Sequence, residues 1–377
     1  MWIGLFPELS EVGGIQQVSR HTAAVLWKNA LERKLPCRLL GLNDPSGQGS
    51  FRVGADEYSY TGFARNKVAL LSCLLRLTPR IETLYFGHVN LSPLGLFLRI
   101  VRPRINYWIL VHGVEVWTRL PFIRRAGLRR AQRVMSVSSY TAAQMMKVQD
   151  VEPQKVSVLF PALDPSFVQA ECHADAISLP HRSRMLLTVG RLVSTEPGKG
   201  VDSVIRVLPD VLKVIPDVFY VIVGGGDLQS RLEDLAQKST ARDRILFVGK
   251  LKLEQLKAYY SRSDVFVMPS RQEGFGITFL EAMAVGKPVV GGTLGGTKEV
   301  IHHGVTGLLV NPEDLEDLTH CLIHLLHDEA LRRKMGEAGR QCVEQSYTFE
   351  RFEQRLTEIL DLPVQTDSCP SKRGPRQ

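Results

Sequence analysis

Apolar residues along the chain fall into short runs separated by longer stretches of helical period. From Met185 onward, "MLLTVG", "FYVIVG", "RILFVG", "VFVMPS", "KPVVGG" and "GLLV" read as buried strands. Between them, segments such as "VDSVIRVLPDVLKVI" and "DLQSRLEDLAQKS" place apolar positions on one helical face. Strands alternating with helices of this length predict parallel βαβ units and a doubly wound sheet, an α/β architecture. The first half repeats the pattern more loosely in "WIGLF", "PCRLLGL", "TLYFGHV", "NYWILVHG", "RVMSVS" and "VSVLF".

The pattern divides the chain into a Rossmann-like domain over 1–164, an aperiodic, proline-containing linker over 165–182 and a second Rossmann-like domain over 183–345. A helix over 346–361 is expected to cross back to the first domain, and 362–377 has the composition of a disordered tail. Two such domains face the carboxyl ends of their strands across one cleft, the usual ligand position in open α/β sheets.

A chain of 377 residues with 44% hydrophobic content is long enough for two separate cores. The net charge of +8 favours an anionic partner, whether a phosphorylated substrate, a membrane surface or nucleic acid. No nucleic-acid recognition module accompanies the charge, so nucleic acid is not expected. No run approaches the roughly 20 apolar residues of a spanning helix, and "MWIGLFPELSEVGG" lacks a basic leader. A cytoplasmic location is expected, with peripheral attachment to the inner face of the cytoplasmic membrane as an option. Six scattered cysteines with no CxxC pair fit reduced thiols and argue against a zinc site.

The chemistry concentrates in "SRQEGFGITFLEAMAVGKPVV", where Glu273 and Glu281 stand eight positions apart. Glu273 falls in the loop after a strand, Glu281 in the early turns of the next helix. That helix begins near Gly276, so the N–H groups around Phe275, Gly276, Ile277 and Thr278 form an anion-attracting helix start. Acids beside a phosphate repel it, so the pair better suits neutral hydroxyls on either side of a diphosphate, the layout of a nucleotide sugar. The plainer alternative is a helix-stabilising Glu281 and a solvated Glu273. Arg191 and Lys199, in "VGRLVSTEPGKG", reach the same sheet edge and can neutralise a diphosphate. Gly13 and Gly14, between the first strand and the first helix, allow backbone to approach a phosphate or simply make a tight turn.

These segments together resemble the retaining glycosyltransferases of family 4, which have the GT-B fold. The resemblance extends over nearly the whole chain, through "VHGVEVW", "VSSYTAAQM", "LFPALDPSF", "IVGGGDLQSRLEDLA", "ILFVGKL", "YYSRSDVFVMPS" and "GVTGLLVNPED". It implies a donor site in which Arg191 and Lys199 bind the diphosphate, Glu273 holds donor-sugar hydroxyls and Glu281 holds the ribose. It further implies that Gly13 and Gly14 close over the phosphates, that amides from Phe275 to Thr278 face phosphate or sugar, and that His112 lies by the reacting centre. No cofactor and no metal is implied; the nucleotide diphosphate sugar, a GDP-mannose or a UDP-hexose, is a co-substrate. Hexosyl transfer to a glycan or lipid-linked saccharide follows, as in cell-surface polysaccharide or glycolipid assembly. A glycoside phosphorylase or sugar-nucleotide epimerase of the same fold, or a non-catalytic sensor or scaffold, are the alternatives. Two local features depart from the usual pattern: Pro197 and Gly198 precede Lys199, and "GGGD" has Gln229 where a dinucleotide fingerprint has its third glycine. Asp227 is a candidate cap for the helix that follows.

On the acceptor side, His88 ends a first-half strand. The run "RLPFIRRAGLRRAQR" carries six arginines and no acid, with Arg125, Arg129 and Arg133 at helical spacing. Such a basic face fits an anionic lipid surface or a pyrophosphate-linked acceptor, and equally an ordinary solvated helix.

Overall fold

The computed structural model describes residues 1–11, 13–169, 179–180, 183–194 and 198–362. The first sheet consists of β1 (Trp2–Phe6), β2 (Cys37–Gly41), β3 (Gly47–Val53), β4 (Asp56–Gly62), β5 (Thr83–Phe86), β6 (Asn106–Val111), β7 (Arg133–Ser136) and β8 (Val156–Val158). Their order is β3-β4-β2-β1-β5-β6-β7-β8, parallel throughout except for the antiparallel β3–β4 hairpin. Helices α1 (Gly14–Glu32), α2 (Lys67–Leu77), α3 (Ser92–Val101), α4 (Phe122–Arg129), α5 (Ser139–Gln149) and the short α6 (Pro165–Gln169) complete this half.

The second sheet has the order β11-β10-β9-β12-β13-β14 and is parallel throughout. Its strands are β9 (Arg184–Val189), β10 (Val218–Val223), β11 (Ile245–Gly249), β12 (Val265–Met268), β13 (Val289–Gly292) and β14 (Gly307–Val310). Around it lie α7 (Val201–Val214), α8 (Gln229–Gln237), α9 (Leu253–Arg262), α10 (Ile277–Ala284), α11 (Thr297–Val300), α12 (Leu315–His327) and α13 (Glu329–Ser346). The central strands β1 and β10 are buried at every position, which is why they read as continuous apolar runs.

Strand order reverses at β1 in one sheet and at β9 in the other. Those switch points aim the loops after β1, β5, β6, β9 and β12 at a common cleft. One apolar cluster runs from Phe6 and Leu26 through Leu163 and Phe167 to Phe266 and Phe279, so the two halves share a core at the hinge.

The last helix, α14 (Phe349–Asp361), returns to the first domain and packs on α1. Asn29 Nδ2 donates to Thr357 Oγ1 at 2.9 Å, Lys28 lies 3.3 Å from Glu353, and Arg33 lies 2.5 Å from Asp361. Between them the buried His21 ring stands edge-on to Phe349 and Phe352, with Nε2 3.5 Å from Asp164 at the hinge.

Several sequence expectations need amendment. The β3–β4 hairpin was not expected. Of the segment read as a linker, 165–169 is the helix α6, while 170–178 and 181–182 lie outside the described residues, as does 363–377 of the tail. The basic helix ends at Arg129: Arg133 is the first residue of β7, its guanidinium stacked on Trp108 at 5.2 Å and donating to Ser157 at 3.1 Å. Arg125 is also turned inward, donating to the Gln149 carbonyl at 3.2 Å and to Asp150 at 2.5 Å. The three arginines therefore do not form one solvated face; Arg129 alone of them is exposed.

Candidate functional site

Strand β12 ends at Met268, and the loop to α10 carries Glu273. Gly276 precedes α10 with φ +103°, a conformation that favours glycine, and no side chain caps the helix start. The loop is held by its backbone: Gly296 N donates to the Glu273 carbonyl at 2.7 Å. Glu273 is 9% exposed, and its carboxylate pairs with Lys199 Nζ at 2.8 Å. The ring of Phe275 turns away from the cleft into an aromatic cluster with Phe160 (5.9 Å) and Tyr347 (5.7 Å), leaving its backbone as the part that can meet a ligand. Thr278 Oγ1 rests on Met268 Sδ at 3.9 Å.

Glu281 accepts a 2.6 Å hydrogen bond from the Tyr260 hydroxyl. Burial pushes its carboxyl up to about 7; the Tyr260 bond opposes that rise and the charge of Asp164 adds to it. The two acids thus differ: one is an ion-paired carboxylate, the other readily takes a proton near neutrality.

The loop after β9 supplies Arg191 and Lys199, which share the wall of a cavity of about 560 Å³ with Asp202, Arg206, Arg231 and Arg271. Residues 195–197, including the Pro197 departure, lie outside the described residues. The triple glycine serves close approach: a Cβ on Gly224 would stand 1.9 Å from the Gly190 carbonyl oxygen, and one on Gly226 2.2 Å from that of Leu192. Asp227 is not the cap expected. It accepts from Ser194 N at 2.9 Å and from the Ser194 hydroxyl, pinning this loop, while Leu228 precedes α8.

Across the cleft, α1 starts at Gly14 after the extended Gly13, again without a side-chain cap. A Cβ on Gly14 would lie 3.5 Å from Ile277 Cδ1, so the starts of α1 and α10 face each other across the two domains. Beside them the β6 loop meets the Glu273 loop glycine to glycine. A Cβ on Gly113, whose φ is +147°, would lie 2.8 Å from Gly274 Cα, and one on Gly274 would lie 2.1 Å from the His112 carbonyl oxygen.

His112 and His88 end neighbouring strands and stack at 5.7 Å with 20° between their planes. Nε2 of His112 lies 2.8 Å from the Gly87 carbonyl, which only accepts, so that nitrogen carries the proton and Nδ1 presents a lone pair. His88 Nδ1 accepts from Asn90 N at 3.1 Å, which puts its proton on Nε2. Burial pulls both rings below the ordinary histidine value, His88 to about 4, where the neighbouring His112 lowers it further. Both are neutral at pH 7.

One residue escaped the sequence reading. The Glu299 carboxylate accepts from Ser139 N and Tyr140 N, both at 2.7 Å, at the start of α5 in the other domain. Its own carbonyl accepts from the Tyr347 hydroxyl at 2.7 Å. The partners are 160, 159 and 48 positions away, so no local spacing could have marked it.

The sequence profile described as "Glycosyl transferases group 1" matches residues 171–342. The chain is 32% identical over 299 residues to a Mycobacterium tuberculosis protein described as a GDP-mannose-dependent alpha-(1-6)-phosphatidylinositol monomannoside mannosyltransferase, covering 74% of this chain and 76% of that one. A Corynebacterium glutamicum protein described as a GDP-mannose-dependent monoacylated alpha-(1-6)-phosphatidylinositol monomannoside mannosyltransferase is 39% identical over 171 residues, 44% of each chain. The solved sucrose-phosphate synthase of Thermosynechococcus elongatus superposes with a TM-score of 0.75 at 22% identity, covering 95% of this chain and 98% of that one. With two parallel sheets facing one cleft and this degree of likeness over most of its length, the chain belongs to the group 1 glycosyl transferases, the family 4 hexosyltransferases of GT-B fold.

Proposed function

We propose that the enzyme is a retaining, metal-independent mannosyltransferase that uses GDP-mannose and a lipid-linked acceptor at an anionic membrane surface. The choice of GDP-mannose over a UDP-hexose, and of a lipid-linked acceptor, rests on the likeness to the two phosphatidylinositol mannosyltransferases. The observation that carries the site is the meeting of the α1 and α10 starts, Gly14 against Ile277, beside the Lys199–Glu273 pair. Two uncapped helix starts and two cations supply the positive field that a leaving diphosphate requires.

In this reading Arg191, Lys199 and the amides from Phe275 to Thr278 stabilise charge as the bond between sugar and phosphate breaks. Gly13 and Gly14 let backbone close over the phosphates. Glu273 accepts from donor-sugar hydroxyls while its partner Lys199 turns to phosphate, and Glu281 accepts from the ribose. His112, neutral and with Nδ1 unprotonated, accepts from a sugar hydroxyl. The acceptor hydroxyl attacks the sugar carbon on the leaving-group side; its proton passes to the departing phosphate oxygen, so the configuration is kept. His88 Nε2–H faces the acceptor.

The test is a panel of nucleotide sugars scored by thermal stabilisation, followed by transfer assays with the stabilising donor in EDTA. Selective stabilisation by GDP-mannose, an α-linked product and undiminished turnover in chelator are expected. Preference for a UDP-sugar, an inverted product, or dependence on an added divalent ion would each overturn the corresponding part.

A further inference from the structure

Helices α3 and α4 pack closely because Gly127 of α4 has no side chain: a Cβ there would lie 2.5 Å from the Ser92 carbonyl oxygen. Ser92 Oγ donates to the Arg124 carbonyl at 3.0 Å, and Arg99 to that of Arg130 at 2.9 Å. Both helices follow loops at the carboxyl edge of the sheet, α3 just after His88 and α4 after the loop that His112 opens. Apolar side chains are exposed to water at two places on this pair, the start of α4 and the last turns of α3. Phe122 is 85% exposed, Ile123 61% and Ile100 80%, with Val101 and Phe97 also exposed.

Along the chain this region is strongly basic, and in space α4 also meets Asp150, paired with Arg125, and Lys155, which sits on the Arg129 carbonyl and pairs with Glu152. From Lys67 to Arg130 the sequence has eleven lysines and arginines and two acids. Both acids are engaged: Glu82 lies 3.9 Å from the amino terminus, and Glu115 accepts from His112 N at 2.5 Å. Arg119, Arg124, Arg129, Arg130 and Arg104 are exposed.

We infer that the Pro121-Phe122-Ile123 tip, flanked by the exposed Arg119 and Arg124, is a wedge that inserts into an anionic lipid bilayer. Apolar tips ringed by cations fit the boundary between acyl chains and negatively charged headgroups. Because the tip stands at the cleft edge beside His88, insertion turns the mouth of the cleft toward the bilayer. Arg124 is near enough to His88 to contribute to its lowered pKa, in keeping with that placement. The wedge rests on the proposed reading only in its purpose, the delivery of a lipid-linked acceptor; its lipid contact stands on the surface itself.

The experiment is co-sedimentation of the full chain with vesicles of phosphatidylcholine alone and of phosphatidylcholine mixed with phosphatidylglycerol. Binding to the mixed vesicles, weakened by salt and low on phosphatidylcholine alone, is expected. Phe122→Ser with Ile123→Ser should lower the partition coefficient by about tenfold or more. Arg119→Ser with Arg124→Ser should lower binding to the anionic vesicles by a similar factor. Equal binding to both vesicle types, binding to neither, or binding unchanged in both double variants would overturn the inference. All four side chains are exposed, so no core packing is lost in these variants. Thermal stabilisation by a nucleotide sugar should be unchanged in Phe122→Ser with Ile123→Ser; its absence from the parent protein as well would count against the donor reading and leave the wedge standing.

Discussion

Replacing Glu281 by glutamine should stabilise the enzyme above neutrality and leave it nearly unchanged in mild acid. The carboxyl rises from 4.5 to about 7 on folding, chiefly through burial. Between those values the native state holds a proton that the unfolded chain releases, so stability falls as pH rises through the window. Below pH 4.5 both states are protonated and nothing is lost; above about 7 both are ionised and the whole cost is present. Fully expressed, that displacement is worth about 3 kcal/mol. Glu281 is only partly buried, so solvent in the cleft should reduce the cost to about 1–3 kcal/mol. Glutamine keeps an oxygen to accept from Tyr260 and removes the charge. Urea unfolding followed by circular dichroism should show Glu281→Gln more stable than the parent by about 1–3 kcal/mol near pH 8, and equal to it within error near pH 4. A difference that does not change with pH, or a variant less stable at pH 8, would refute the reasoning. The same change should weaken binding of the nucleotide sugar, because a carboxylate accepts from ribose hydroxyls more strongly than an amide does.

Three other outcomes follow from the geometry. Lys199→Met removes the cation that pairs with Glu273 at 2.8 Å; kcat/KM for transfer should fall by about 10²–10³ with an unchanged circular dichroism spectrum, and a loss below tenfold would contradict the role. Gly274→Ala places a Cβ 2.1 Å from the His112 carbonyl oxygen, forcing the domains apart, so turnover should drop by about 10² while small-angle scattering shows a larger radius; normal turnover would refute the close approach. Glu299→Ala leaves the Ser139 and Tyr140 amides without their interdomain acceptor. It should cost about 1–3 kcal/mol of unfolding stability and raise the KM for donor, and an unchanged KM would show that the contact does not hold the site.

The parallel strands could be read from the sequence because burial on both faces writes them as unbroken apolar runs. The β3–β4 hairpin could not: its strands "GQGSFRV" and "DEYSYTG" mix polar residues and glycine, as an edge exposed to water permits. The basic run misled for a related reason. Arg125 and Arg133 keep helical spacing in the sequence, but strand β7 begins between Arg129 and Val134, and a guanidinium stacked on an indole is as well satisfied as a solvated one. The Lys199–Glu273 contact was within reach because both residues lie in the loops that follow neighbouring strands, β9 and β12, of one sheet. The Glu299 bridge was not, since it depends on how two separately folded domains meet.

Gly14 and Ile277, Gly113 and Gly274, and Glu299 and the start of α5 are three contacts, each with one member in either domain. Neither domain alone brings the starts of α1 and α10 together; in the proposed reading the field at a diphosphate needs both. Glycine at 113 and 274 lets the backbones approach, while the Glu299 carboxylate supplies an attraction tied to a helix dipole. The shared core and the return of α14 onto α1 tie the two domains together. In the proposed reading, charge stabilisation at the phosphate depends on the two domains meeting, and a substitution that leaves Lys199 and Glu273 intact but disturbs any of the three contacts should impair transfer.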